Sequence, residues 1–240
     1  MDIKTNYTLI GDVREKLKEL PDKSIQMCVT SPPYYALRDY GESDQLGLED
    51  TPEEFIKNLV EVFAEVHRVL KDDGTLWLNL GDTYAGNNSR ASKGGRAGFE
   101  KKREGVFAVG KNYKPKSLIG IPWKVAIALQ EWGWILRQDI IWHKPNPMPE
   151  SVKDRCTKAH EYIFLFSKNK KYYYNNEAIK EPAKDWGTRD RTNGKYHNEG
   201  TGLQPHSGLT KSYPTKNKRS VWSVTVKPYK EAHFATYPPD

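Results

Sequence analysis

The sequence predicts an α/β protein built on a mostly parallel sheet. Three observations carry this. Short apolar runs alternate with amphipathic helical stretches, and one of those helices has a complete start signal. The first apolar run also opens directly into Ser31-Pro32-Pro33-Tyr34, a cluster that cannot continue a central strand.

The elements follow in chain order. Val13, Leu17 and Leu20 stand at helical spacing, and Pro21-Asp22 closes that helix. Ile25 to Val29 reads as a short buried parallel strand. Ligands of open α/β sheets bind beyond the carboxyl ends of strands, so the residues that follow it form a candidate site. Thr51 is a candidate N-cap, Pro52 fits the first helical position and Glu54 completes a capping box. Phe55, Leu59, Val62, Phe63, Val66 and Leu70 then form an apolar stripe. Asp72-Asp73-Gly74 stops the helix, and Thr75 to Leu80 reads as a second strand ending in Gly81-Asp82. A second unit follows, with a helix from Pro122 to Trp132, a break at Gly133 and a strand from Trp134 to Trp142. His160 to Phe166 is a further strand.

Two stretches interrupt the rhythm. Residues 86–116 are glycine-rich and basic, with Arg90, Lys93 and Arg96 among their cations. They read either as a mobile DNA-contacting loop or as a solvated insertion. Residues 183–219 are poor in large aliphatics and read either as a target-recognition insert or as a long surface loop. The domain plan is therefore a catalytic part over 1–182, the insert over 183–219 and a return to the core over 220–240.

Lys and Arg number 38 against 31 acidic residues, a net charge of +7, and the chain carries 7 Trp and 14 Tyr. Cations for phosphates and rings for bases suit a nucleic-acid partner, although a solvated basic surface has the same charge. Cys28 and Cys156 are too few for a disulfide scaffold and fit a reducing cytoplasm. No apolar run approaches the roughly 18 residues of a membrane span.

Alone, Ser-Pro-Pro is also a turn or a polyproline ligand. Its surroundings are more specific. The segment GDVREKLKELPDKSIQMCVTSPPYYALRDYG resembles the catalytic segment of amino-group DNA methyltransferases. Their motif is Asp, Asn or Ser followed by Pro-Pro and an aromatic residue. RVLKDDGTLWLNLGDTY, RQDIIWHKPNPMPESVKDR, HEYIFLFSK and KRSVWSV…HFATYP agree in the same order. The likeness is to the permuted group in which the catalytic half precedes the cofactor glycines, and within it to the serine form commonest in cytosine-N4 enzymes.

The resemblance implies a Rossmann-like methyltransferase sheet with helices on both faces, S-adenosylmethionine as cofactor, no metal and double-stranded DNA as partner. It implies that the Ser31 side chain and the Pro32 carbonyl accept from an exocyclic amine. That amine is a poor nucleophile because its lone pair is delocalised, and two fixed acceptors favour a pyramidal nitrogen. Pro33 stiffens the unit, and Tyr34 stacks on a base flipped from the duplex. Tyr35 is a second base-facing candidate or a packing residue. Lys144 and Arg155 are candidate phosphate contacts, and Trp142 to Pro149 either shapes the pocket wall or forms a stiff turn. For the cofactor the resemblance points to Asp12 and to His233, Phe234 and Pro238.

The family's glycine-rich cofactor loop is expected shortly after HFATYP, where this chain reaches Pro238-Pro239-Asp240. The expectation is a truncated product or a second polypeptide that completes it, weak cofactor binding by the isolated chain, and exposed apolar surface where further strands pack. Adenine-N6 transfer and a non-catalytic DNA-binding fragment are the rival readings. Gly105 to Lys111 has P-loop spacing, but Asn112 stands where Ser or Thr would ligate magnesium. His160-Glu161 begins like a zinc-protease helix, but Phe164 occupies the second histidine's place.

Overall fold

The computed structural model describes residues 8–42, 44–86, 112–183 and 214–225. The chain divides into two compact units, residues 1–173 with 220–240, and residues 174–219.

In the larger unit, Asp12 caps α1 (Val13–Lys16), accepting the Arg14 amide at 2.8 Å. The single predicted helix is a short α-turn followed by a 3-10 turn over Leu17–Glu19. The first strand, β1 (Ile25–Thr30), runs one residue beyond the expected span. Helix α2 (Pro52–Val69) starts as its cap predicts, with the Thr51 hydroxyl accepting the Glu54 amide at 3.2 Å. Strand β2 (Leu70–Leu80) begins earlier than expected. Leu70 already pairs with Ile25, and the strand bulges before Thr75 takes up Met27. Asp72-Asp73-Gly74 therefore does not stop the helix, which ends at Val69, but lies inside β2. Helix α3 (Ile121–Trp132), β3 (Ile135–His143) and β4 (His160–Ser167) lie within a residue of their predicted bounds. The smaller unit holds β5 (Glu181–Pro182), antiparallel to β6 (Thr215–Lys216). There Glu181 lies 3.8 Å from Lys216 and 3.3 Å from Arg219. Strand β7 (Val221–Ser223) returns to the larger unit.

The sheet order is β1-β2-β4-β3-β7. β1 runs parallel to β2 and β7 parallel to β3, whereas β4 is antiparallel to both its neighbours. Four strands therefore share one direction and β4 is reversed. The cause is its connection. No helix lies between His143 and His160, and a chain that returns without a crossover helix pairs antiparallel.

Helices α2 and α3 pack on one face of this sheet. Their Phe55, Leu59, Phe63, Val66, Val125, Ala126 and Leu129 meet Leu76, Leu78 and Leu80 of β2 and Phe164 and Phe166 of β4 in one core. Cys28 joins its margin, where burial pushes the thiol up to about 11. On the opposite face of β1, Met27 and Val29 are each 54% exposed, and β1 is an edge strand among the described residues. No described helix is long and apolar enough to cross a membrane.

Candidate active site

The reversal of β4 brings four strand ends to one sheet edge: the carboxyl ends of β1, β2 and β3, and the start of β4. Ser31-Pro32-Pro33-Tyr34 leaves β1 there without regular structure. The turn is tied back by Leu37, whose amide donates to the Tyr34 carbonyl at 3.3 Å, and by Ala36, which donates to Gly47 at 2.7 Å.

Tyr34 is the centre of a polar network. Its hydroxyl donates to Glu161 Oε2 at 2.8 Å. The Tyr34 hydroxyl oxygen in turn accepts from the Ser31 hydroxyl at 3.3 Å and from Asn79 Nδ2 at 3.1 Å. Asn79 Nδ2 also lies 3.2 Å from Glu161 Oε2, and Lys144 Nζ donates to Glu161 Oε1. Asn79 is buried, and its Oδ1 has no hydrogen-bond partner among the described residues. On the other side of the ring stands Gly81, where an added Cβ would lie 2.5 Å from Tyr34 Cε2.

The charge of Glu161 is the outcome of opposed effects. Burial alone pushes its carboxyl up. The hydrogen bond and charge of Lys144, with the bonds from Tyr34 and Asn79, outweigh burial and hold it below the usual carboxylate range. A depressed folded value stabilises the fold at pH above the ordinary glutamate range, and that stability is lost as pH falls through the depressed value. The Tm of Glu161→Gln is therefore expected to fall less steeply than that of the parent on acidification below about pH 5. Parallel melting curves check this, and identical slopes would contradict it. Lys158 senses the same region. Burial lowers its pKa, against the opposing charges of Asp82, Glu161 and Glu150.

Asp82, at the end of β2, has a structural task. Its carboxylate accepts the Gly120 amide at 3.0 Å and the Ile121 amide at 3.0 Å, capping α3, whose own N-cap Gly120 has no side chain to do so.

The structure joins Ser31 and Tyr34. Tyr35 packs in the core, 3% exposed, with its ring 5.6 Å from that of Phe55. Truncation to Tyr35→Ala is expected to cost about 3 kcal/mol of stability. DNA affinity per folded molecule should stay unchanged, as denaturant titration and binding isotherms would show. Lys144 is the partner of Glu161, 27% exposed at its side chain. Arg155 is held by Glu150 at 2.5 Å and lies 4.2 Å over the Tyr84 ring. Asp12 spends its carboxylate on capping α1 and on Arg14, whose hydrogen bonds hold its pKa low against partial burial. Arg90, Lys93, Arg96, His233, Phe234 and Pro238 lie outside the described residues.

Asn79, Gly81, Asp82 and Glu161 were not among the site residues expected from sequence. A signal existed: Asn79 interrupts TLWLNL and Glu161 interrupts HEYIFLF, and a polar residue in a buried strand needs a partner. Among the described residues no group of three or more His, Cys, Asp or Glu is placed to hold a metal ion.

A sheet with one reversed strand and a Ser-Pro-Pro-Tyr turn at its ligand edge defines a methyltransferase-type α/β protein. The DNA methylase family model, covering N6 and N4 methyltransferases, matches residues 25–240, and the chain belongs to that family. Over 234 residues it is 46% identical to the type II methyltransferase M.XycI of Xanthomonas campestris pv. cyanopsidis, spanning 96% of this chain and 68% of that one. Over 237 residues it is 45% identical to M.SmaI of Serratia marcescens, spanning 96% and 70%. The solved PvuII DNA methyltransferase, described as cytosine-N4-specific, superposes with a TM-score of 0.53 at 17% identity, covering 93% of this chain and 58% of that one. This last likeness is one of fold. The chain thus spans about seven-tenths of these two relatives' length and a smaller share of the solved structure.

Proposed function

We propose that this chain carries the catalytic residues of a DNA methyltransferase that methylates the exocyclic N4 of cytosine in double-stranded DNA, with S-adenosylmethionine as methyl donor. The observation that carries the reading is the Ser31–Tyr34 turn at the ligand edge of the sheet, with both hydroxyls in one hydrogen-bonded network. The donor supplies an activated methyl group; the residues described here act on the acceptor. The target amine needs acceptors, and the site is rich in them. Ser31 Oγ and the Pro32 carbonyl take the two N–H groups and favour a pyramidal nitrogen. The rigid Pro32-Pro33 pair holds those oxygens before the base arrives. Tyr34 offers its ring to the base extruded from the duplex.

The residues present also fit a group that brings N–H donors, since Asn79 Oδ1 is a buried acceptor without a donor among the described residues. Asp12 and the 233–238 segment are the proposed cofactor contacts. In this role Asp12 would have to release part of its hold on Arg14. The basic segment 86–116 and residues 183–219 are proposed to meet DNA, the latter as target-recognition insert.

The test is mass-resolved nucleoside analysis of DNA from cells expressing this chain, alone and together with the carboxyl-terminal portion of a relative such as M.SmaI. N4-methylcytosine is the expected product. N6-methyladenine would keep the chemistry and overturn the choice of base. No modified base in either arm would sink the enzymatic reading and leave DNA binding alone.

A further inference from the structure

We propose that Glu161, ion-paired with Lys144, is a positioning residue for methyl transfer, setting the angle of the Tyr34 ring on which the target base stacks. This rests on the reading of Tyr34 given above.

A stacking platform needs only a ring, and phenylalanine supplies one. The hydroxyl of Tyr34 instead reaches a carboxylate whose side chain is 19% exposed. Withdrawing a carboxylate from water costs free energy, so core packing by itself would favour an apolar residue at 161. What Glu161 provides is direction. A phenol turns about two torsions, and a charge-assisted hydrogen bond at its far end restricts both. Oε2 receives Tyr34 at 2.8 Å and Asn79 at 3.2 Å, while Oε1 receives Lys144. The carboxylate is thus held on both oxygens. Its backbone is held as well, because Glu161 pairs with Trp142 in the β3–β4 ladder and the Lys144 amide donates to Ala159 at 2.8 Å. Asn79 binds Tyr34 and Glu161 with one amide nitrogen, so two strands, β2 and β4, meet at a single phenol oxygen. The Gly81 backbone limits the ring from the other side. The platform is set before any base arrives, which is the form of preorganisation that lowers a barrier.

The experiment is a double-mutant cycle on the full chain, in the form shown active by nucleoside analysis, at the site located by sequencing the modified DNA. Single-turnover methyl transfer is measured for the parent, Tyr34→Phe, Glu161→Gln and the double variant. Each single change is expected to slow transfer about tenfold. The double variant should be no more than about twofold slower than the slower single, because both remove one contact. Multiplied effects, near 100-fold, would overturn the proposal, as would an unchanged rate in Glu161→Gln. A second readout needs neither cofactor nor DNA. In protein labelled with 13C at tyrosine Cζ, the resonance missing from Tyr34→Phe belongs to Tyr34. Glu161→Gln should move that resonance and leave the other tyrosines in place; no movement would also overturn the proposal. Absence of any modified base in the nucleoside analysis refutes the enzymatic reading itself, whereas an active parent with multiplied effects refutes only the role of Glu161.

Discussion

Replacing Ser31 by alanine is expected to lower the methyl-transfer rate by about 10²- to 10³-fold, the usual cost of removing one preorganised polar group from a reacting centre. DNA affinity should stay within about twofold, because the hydroxyl is one polar contact in a basic protein whose affinity rests on phosphates. The Ser31 hydroxyl stands at the end of β1 and donates to Tyr34 at 3.3 Å, so its loss also removes one of the bonds on the phenol oxygen. That second effect is small, since Glu161 and Asn79 still hold Tyr34. Single-turnover kinetics beside a binding isotherm separates the two quantities. A variant that retains full transfer would mean that the amine finds its acceptor elsewhere.

Gly81→Ala is the second large effect. Its new Cβ would stand 2.5 Å from Tyr34 Cε2 and 2.8 Å from Cδ2. Real contacts are never that close, so the ring or β2 must move. The ring is tethered at its hydroxyl, and moving it breaks the bonds to Glu161 and Asn79. A misplacement of about 1 Å at a reacting centre can cost about 100-fold in rate, and that is the expected loss. Overpacking should cost about 1–3 kcal/mol of stability at the same time. Transfer rates and thermal melts of Gly81→Ala beside the parent test the placement of the ring. Equal activity would show that Tyr34 does not lean on this strand when the enzyme works.

Much of the local structure was legible in the sequence. Thr51, Pro52 and the stripe from Phe55 to Val66 place α2, because a cap and an apolar period are both properties of neighbouring residues. The Ser-Pro-Pro-Tyr turn was equally legible, since two prolines after an apolar run can only end a strand. Its sequence context also pointed to the family to which the chain belongs.

Other features depend on residues far apart in the chain. Nothing in HEYIFLF states that β4 inserts between β2 and β3 and runs backwards, because strand order and direction are settled by pairing across the sheet. Tyr34 and Tyr35 are adjacent and chemically alike, yet the hydroxyl of one joins the network at the site and the ring of the other packs in the core. Glu161 meets Tyr34 across 127 positions of sequence. The sequence by itself determined the caps, the periods and the motif, all of which arise from contacts within a few residues. Tertiary structure alone decided which polar side chains meet at the sheet edge, because a buried carboxylate becomes tolerable only where strands from distant parts of the chain bring its partners to it.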